Sequence, residues 1–381
     1  MLVGLQRFPE RSGCELRNRW PMRAAQRVRI LMFHCITWTL VVVVSVLAAE
    51  VSLRMSGRMT GESVATAAEE VFDSIPGVFE PGQKVVERPR PELQHRVSIN
   101  SLGYRGREID AQNRSGRIRL MCIGDSFTYG SYVDDDQTLP AQLERALRGT
   151  GYPVDVINAG VGGTTIVDQL YVLKKSARVD VDIVLLVFSE NDISDLAKDE
   201  PMYIALEKNR RLKARLGVRQ IYSLLRNTAL FHLALEVRGW YQGRSSNEAD
   251  RVDRGEDAHR VEALWNRYDM LLGEVQAYLA TRSVRFVFVI FPSHYRMDFQ
   301  VRSDGRIDRV EGLAKRREVR TINLLEPLRA AGYGASDLYL LPYDGHPSGR
   351  GYAVAARAIA QELEMDVREV AGERRQHTLS R

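Results

Sequence analysis

The chain has 381 residues, of which 44% are hydrophobic and 27% charged, an ordinary globular composition that excludes a disordered or fibrous protein. The formal charge is +5, and residues 1–29, with seven Arg against two Glu, account for all of it; the other 47 basic and 47 acidic side chains cancel. The basic character therefore belongs to a leader, and a nucleic-acid-binding surface lacks its electrostatic footprint.

After that leader, residues 30–49 (ILMFHCITWTLVVVVSVLAA) run for 20 positions without Asp, Glu, Lys or Arg. A bilayer core takes about 20 apolar residues as helix, so the segment predicts a transmembrane span. The Arg-rich flank puts the N-terminus in the cytoplasm and everything beyond Glu50 outside, in the periplasm if the cell is Gram-negative. The alternative is secretion after cleavage of a signal peptide, with Val46-Leu47-Ala48 as the cleavage site and Met22 as the start. The apolar run exceeds the usual signal core of about 7–15 residues, which favours an uncleaved anchor. Of the three cysteines, Cys14, Cys35 and Cys122, only the last falls beyond the span, so neither an intradomain disulfide nor a thiolate metal site is expected. No metal and no cofactor are expected.

Residues 50–98, rich in Glu, Ala, Ser and Pro without a sustained period, read as a stalk. From residue 99 to 365 strands and helices alternate. Apolar strands are predicted at 118–124, 154–158, 182–188, 284–291 and 321–328, with helices at 138–149, 166–178, 261–280 and 351–364. Alternation with fully apolar strands predicts a three-layer α/β/α domain around a mostly parallel sheet of about five strands. Residues 193–283 form a long insertion, read as a lid or as a plain helical crossover with a loose loop at 242–258. Residues 366–381 read as a solvated tail.

Four polar segments fall where a parallel sheet gathers its ligands, at the carboxyl ends of strands or before the last helix. They are Gly124-Asp125-Ser126-Phe127-Thr128-Tyr129-Gly130, Asn158-Ala159-Gly160-Val161-Gly162-Gly163-Thr164, Ser189-Glu190-Asn191-Asp192 and Asp344-Gly345-His346-Pro347-Ser348. Singly, each reads as a turn or a helix cap. Together they bring a serine, a histidine, an acid, an asparagine and glycine amides to one crevice, the parts needed for acyl transfer. No glycine pattern of a nucleotide site accompanies them. Of the seven histidines, only His294, just after the fourth strand, rivals His346 as the base.

The four segments, in this order, resemble the blocks of the SGNH (GDSL) hydrolase superfamily over about residues 100–365. The stretch Asn100-Ser101-Leu102-Gly103-Tyr104-Arg105-Gly106 is similar to one that precedes the first block in membrane-anchored members. The resemblance implies Ser126 as nucleophile, His346 as base and Asp344 as its orienter. It implies an oxyanion hole of the Ser126 and Gly163 backbone amides and the Asn191 side chain. Two positions depart from the pattern: Ser189 stands where the third block has glycine, and Tyr343 stands three before His346, leaving Asp344 two before it. That D-x-H spacing resembles SGNH-like polysaccharide O-acetyltransferases. The expected activity is hydrolysis of acyl or acetyl esters of envelope polysaccharides or lipids. The alternatives are an O-acyltransferase using the same acyl-enzyme and a catalytically silent glycan-binding protein.

Overall fold

The structure is a computed structural model that describes residues 20–55, 75–79, 81–90, 92–197, 201–203, 230, 233, 258–297 and 305–379. It divides into two units, residues 1–59 and 60–381. Among the described residues, the first holds one helix, α1 (Trp20–Met55). Its stretch Arg29–Ser52 is long and apolar enough to cross a membrane and none of it is buried, so Leu31, Phe33, Trp38 and Leu47 all stand exposed.

The second unit is built on five parallel strands: β3 (Ile118–Gly124), β4 (Val154–Asn158), β5 (Ile183–Ser189), β6 (Arg285–Phe291) and β7 (Arg320–Asn323), after a preceding hairpin, β1 (Lys84–Glu87) and β2 (His95–Ser98). Their order across the sheet is β4-β3-β5-β6-β7. Counted within the sheet this is 2-1-3-4-5, the flavodoxin-like doubly wound order, whose switch point lies between the first and third strands. Here those are β3 and β5, and the chain leaves their carboxyl ends in opposite directions.

The strands alternate between two cores, which explains their unbroken apolar sequences. On one face Met121, Ile123, Val184, Leu186, Phe188, Phe288 and Ile290 pack with the helices α4 (Ile166–Lys175), α6 (Ala258–Ala280) and α7 (Arg306–Arg316). On the other, Leu120, Cys122, Leu185, Val187, Val289 and Phe291 pack with α3 (Leu139–Arg148) and α10 (Gly349–Leu379). Cys122 is fully enclosed there, and burial pushes its thiol up to about 12. The described residues of this unit also form the short helices α2 (Ser126–Tyr129), α5 (Asn191–Asp195), α8 (Leu325–Arg329) and α9 (Ala335–Leu338).

Three stretches differ from the sequence expectation. The stalk over 50–98 is folded in its last part: β1 and β2 pair antiparallel, Lys84 opposite Ser98, and Val97 and Ile99 are buried against Tyr129. Four-residue strands with outward charges such as Arg96 carry too short an alternation to register as a pattern. The tail over 366–381 is helical to Leu379 as the end of α10, with Val367 and Val370 buried. Its Arg374 bonds Asp180 at 3.1 Å and Asp182 at 2.9 Å. Leu363, Val367 and Val370 recur at helical spacing, but the surrounding charges mask them. The predicted strand 321–328 divides after Asn323, whose side-chain oxygen accepts the Leu325 N–H at 3.0 Å and caps α8.

Within the expected insertion, α6 belongs to the helical layer rather than to a lid. It buries Leu264, Trp265, Tyr268, Leu272 and Val275 against the sheet. The rest of the insertion, including the loop at 242–258 up to residue 257, lies outside the described residues apart from 193–197, 201–203, 230, 233 and 281–283.

Candidate active site

Ser126 opens α2 at the carboxyl end of β3, the strand beside the switch point. The turn is sharp because Asp125 caps it, its Oδ1 accepting the Phe127 N–H at 2.9 Å. The next loop is pressed against this turn: a Cβ on Gly160 would stand 2.3 Å from the Tyr129 nitrogen, so only glycine fits. Asn158, ending β4, donates its side-chain N–H to the Tyr129 carbonyl at 3.1 Å and locks the two loops together.

His346 Nε2 lies 2.7 Å from Ser126 Oγ. On the other side of the ring, Nδ1 bonds Asp344 Oδ1, and that same oxygen accepts the His346 backbone N–H at 2.8 Å. One intervening residue is therefore enough: the aspartate folds over its own turn and meets both donors of the residue two ahead. The imidazole is held edge-on to Tyr132, ring centres 5.2 Å apart, and beside Phe127 at 5.4 Å. Tyr132 sits at φ +67°, the left-handed region a non-glycine residue adopts only where its surroundings enforce it.

His294, the rival base, does not join this line. Its ring packs under the turn that carries His346, where a Cβ on Gly345 would come within 2.9 Å of it. Burial pushes its imidazole below the ordinary value. The adjoining Arg296 is buried in an ion pair with Glu190, Nε to Oε2 2.9 Å, and Glu190 also accepts the Ser293 N–H at 3.0 Å. This pair ties the end of β5 to the end of β6 and fixes the loop bearing Asn191.

Asn191 begins α5, and its amide is fully engaged. Nδ2 donates to Asp125 Oδ2 and to Asp195 Oδ2, each at 3.1 Å, while Ser189 Oγ stands 2.8 Å from its Oδ1. Ser189 Oγ is also 2.8 Å from Asp125 Oδ2. Burial pushes the Asp125 carboxyl up, although the Phe127 N–H, Ser189 and Asn191 all favour its charged form. The neighbouring Asp192 is pushed well above the carboxylate range by burial and by Asp125 beside it. Gly163 is exposed at φ +75°, on the loop whose Gly162 comes close enough that an added Cβ would sit 3.9 Å from the Ser126 Cβ.

The geometry thus brings Ser126, His346 and Asp344 into one line and sets Asn191 and Gly163 on the loops around it. Sequence reasoning missed Asp195, although four residues on a helix place it over Asn191. It also missed the bracing by Arg105. That guanidinium is buried and reaches the carbonyls of Tyr129 at 3.0 Å, Gly130 at 2.8 Å and Val133 at 2.6 Å, with Nε on Asp135 at 2.8 Å. Among the described residues, no group of three or more His, Cys, Asp or Glu side chains forms a metal-holding cluster.

The model of the GDSL-like Lipase/Acylhydrolase family matches residues 122–354. Among solved structures, the chain resembles a lipase/acylhydrolase from Enterococcus faecalis at 16% identity and a TM-score of 0.38, covering 65% of this chain and 96% of that one. It also resembles an acetylxylan esterase from Geobacillus stearothermophilus at 14% identity and a TM-score of 0.38, covering 65% and 94%. No curated protein matches the sequence. With more than half its length matched by the family, the chain belongs to the GDSL-like lipases and acylhydrolases and is an ester hydrolase of the SGNH type.

Proposed function

We propose that the chain is an exported, membrane-anchored serine esterase that removes acyl or acetyl groups from envelope glycans or lipids through a Ser-His-Asp acyl-enzyme mechanism. The observation that carries this reading is the unbroken hydrogen-bonded line from Ser126 Oγ through both nitrogens of His346 to Asp344. Support for the anchor comes from the apolar stretch Arg29–Ser52 and the Arg-rich leader before it, which together favour a cytoplasmic N-terminus.

In this mechanism His346 Nε2 takes the Ser126 proton as Oγ forms a bond to the ester carbonyl carbon, and the carbonyl π pair moves onto oxygen. Asp344 holds the Nδ1–H tautomer and stabilises the imidazolium. The oxyanion is received by the N–H groups of Ser126 and Gly163 and by the Asn191 amide. Ser126 is the first residue of α2, so its N–H has no partner within the helix. Collapse breaks the bond to the alcohol oxygen, which takes the proton from His346. A water molecule, deprotonated by His346, then attacks the acyl-enzyme, releasing the carboxylic acid and returning the proton to Ser126.

A second reading, O-acyl transfer, is favoured by the D-x-H spacing; a sugar hydroxyl takes the place of water in the last step. One experiment addresses both. The full chain in detergent is assayed on p-nitrophenyl acetate with and without a polysaccharide acceptor, beside Ser126→Ala, whose loss should be on the order of 10⁶. Turnover indifferent to acceptor supports hydrolysis, and acetate accumulating on the polysaccharide supports transfer. Equal turnover in wild type and Ser126→Ala would overturn the mechanism.

A further inference from the structure

Resting on that reading, the geometry points to Asp195 as a specificity-determining residue: its carboxylate occupies the oxyanion donor of Asn191 and must be displaced by the substrate. Asn191 Nδ2 carries two hydrogens, and both are taken. The inner one goes to Asp125, whose carboxyl is buried beneath the nucleophile turn. The outer one, on the solvent side, goes to Asp195 Oδ2 at 3.1 Å. Only the outer hydrogen is accessible to a substrate carbonyl, so Asp195 Oδ2 stands where that oxygen must arrive. A carboxylate there competes twice, first for the hydrogen bond and then by repelling the negative charge that develops on the carbonyl oxygen.

The surroundings allow the displacement. Asp195 is the last residue of the five-residue helix α5 and is only half-buried. It borders a cavity of about 230 Å³ also lined by Gly163, Thr165, Leu196, Met202 and Arg267. Rotation of the Asp195 side chain away from Asn191 carries its charge into this cavity, which the Arg267 guanidinium also lines, its Nη1 donating to the Leu196 carbonyl at 3.3 Å. The arrangement thus couples opening of the oxyanion hole to filling of the cavity beside it. Esters whose acyl or alcohol part reaches the cavity meet Asp195 directly, and the smallest esters must displace it with the carbonyl alone.

The test compares wild type, Asp195→Ala and Asp195→Asn in the full chain, each alone and combined with Asn191→Ala. Two readouts are used: kcat/KM on p-nitrophenyl acetate, and the rate at which diethyl p-nitrophenyl phosphate labels Ser126, followed by intact mass. Releasing a hydrogen bond to a charged group should raise both in Asp195→Ala by about tenfold. Asp195→Asn, which keeps the shape and loses the charge, should rise less. In the Asn191→Ala background the gain should vanish, because no amide remains to be freed. Rates at or below wild type in Asp195→Ala, or an equal gain without Asn191, would overturn the inference while leaving the esterase reading intact. Absence of Ser126 labelling and turnover in every variant would instead sink that reading and this one together.

Discussion

Replacing Asp344 by Asn tests the least regular member of the proposed catalytic line. The substitution keeps the size of the side chain and removes its charge. In the structure one oxygen, Oδ1, serves both the His346 ring and the His346 backbone N–H. The two side chains are only 22% and 26% exposed, so solvent screens the pair only in part. With an effective dielectric near 20, opposite charges about 4 Å apart attract by about 4 kcal/mol. Losing that attraction when the imidazolium forms slows turnover by about 10³. An amide NH₂ turned toward Nδ1 also selects the wrong tautomer, which brings the expected loss to about 10⁴, as in other triads. Asp344→Ala should fall in the same range, since the backbone turn loses its acceptor as well. The assay is initial-rate hydrolysis of p-nitrophenyl acetate at neutral pH, with circular dichroism to establish that each variant is folded. A folded Asp344→Asn enzyme within tenfold of wild type would refute the assignment and leave His346 acting without an orienting acid.

Other outcomes follow from neighbouring contacts. His294→Ala should keep more than a tenth of wild-type kcat, because its ring supports the Gly345 turn from below and does not reach Ser126; a loss of about 10⁴ or more would make it the base. Arg105→Lys should lower stability by about 2–4 kcal/mol in urea melts, since an ammonium cannot serve the carbonyls of Tyr129, Gly130 and Val133 together with Asp135. Asp192→Asn should stabilise the protein at pH 7–8 and not at pH 3–4. The buried Asp192 carboxyl has a raised pKa, so above the ordinary carboxylate value of 3.8 the folded state holds a proton that the unfolded chain has released. Stability therefore falls as pH rises through that window, and the amide removes the dependence. A gain in Tm that is the same at both pH values would contradict this account. Cys122 should resist alkylation by iodoacetamide until the protein unfolds, its thiol being enclosed and pushed up to about 12.

The sheet was legible because its strands are apolar on both faces, and the strands over 118–124 and 154–158 appear with the expected bounds. The site residues were legible for a related reason. A parallel sheet delivers the carboxyl ends of all its strands to one edge, so short polar segments after β3, β4 and β5 had to converge. What sequence hid was held by side chains acting across loops. Arg105 lies far in the chain from the carbonyls it braces, and nothing in its local pattern separates a buried guanidinium from a surface one. The β1–β2 hairpin escaped notice because four residues are too few to display a period, and the end of α10 because its apolar positions lie among charges. Asp195 was the most accessible of these omissions: once Asn191 opens a helix, the residue four ahead lies over it.

The departure at Ser189 is informative in the same physical terms. Its hydroxyl has one proton and two close oxygen neighbours, Asp125 Oδ2 and Asn191 Oδ1, both at 2.8 Å. If Ser189 gives its proton to Asn191, its contact with Asp125 requires a proton from the carboxyl. Burial, which pushes the Asp125 carboxyl up, works toward that arrangement, against the hydrogen bonds from the Phe127 N–H, Ser189 and Asn191, which favour the charged form. The chain of donors then runs from Asp125 through Ser189 to the Asn191 carbonyl, and it fixes the amide so that its NH₂ end faces outward. A glycine at this position has no such link. In that arrangement the site carries no buried negative charge at Asp125, and in a region of low dielectric such a charge would oppose a nearby oxyanion strongly. Where Ser189 donates to Asp125 instead, the carboxyl accepts from Ser189, from Asn191 and from the Phe127 N–H together; in either arrangement the hydroxyl links the capping acid of the nucleophile turn to the amide, a link that glycine would remove.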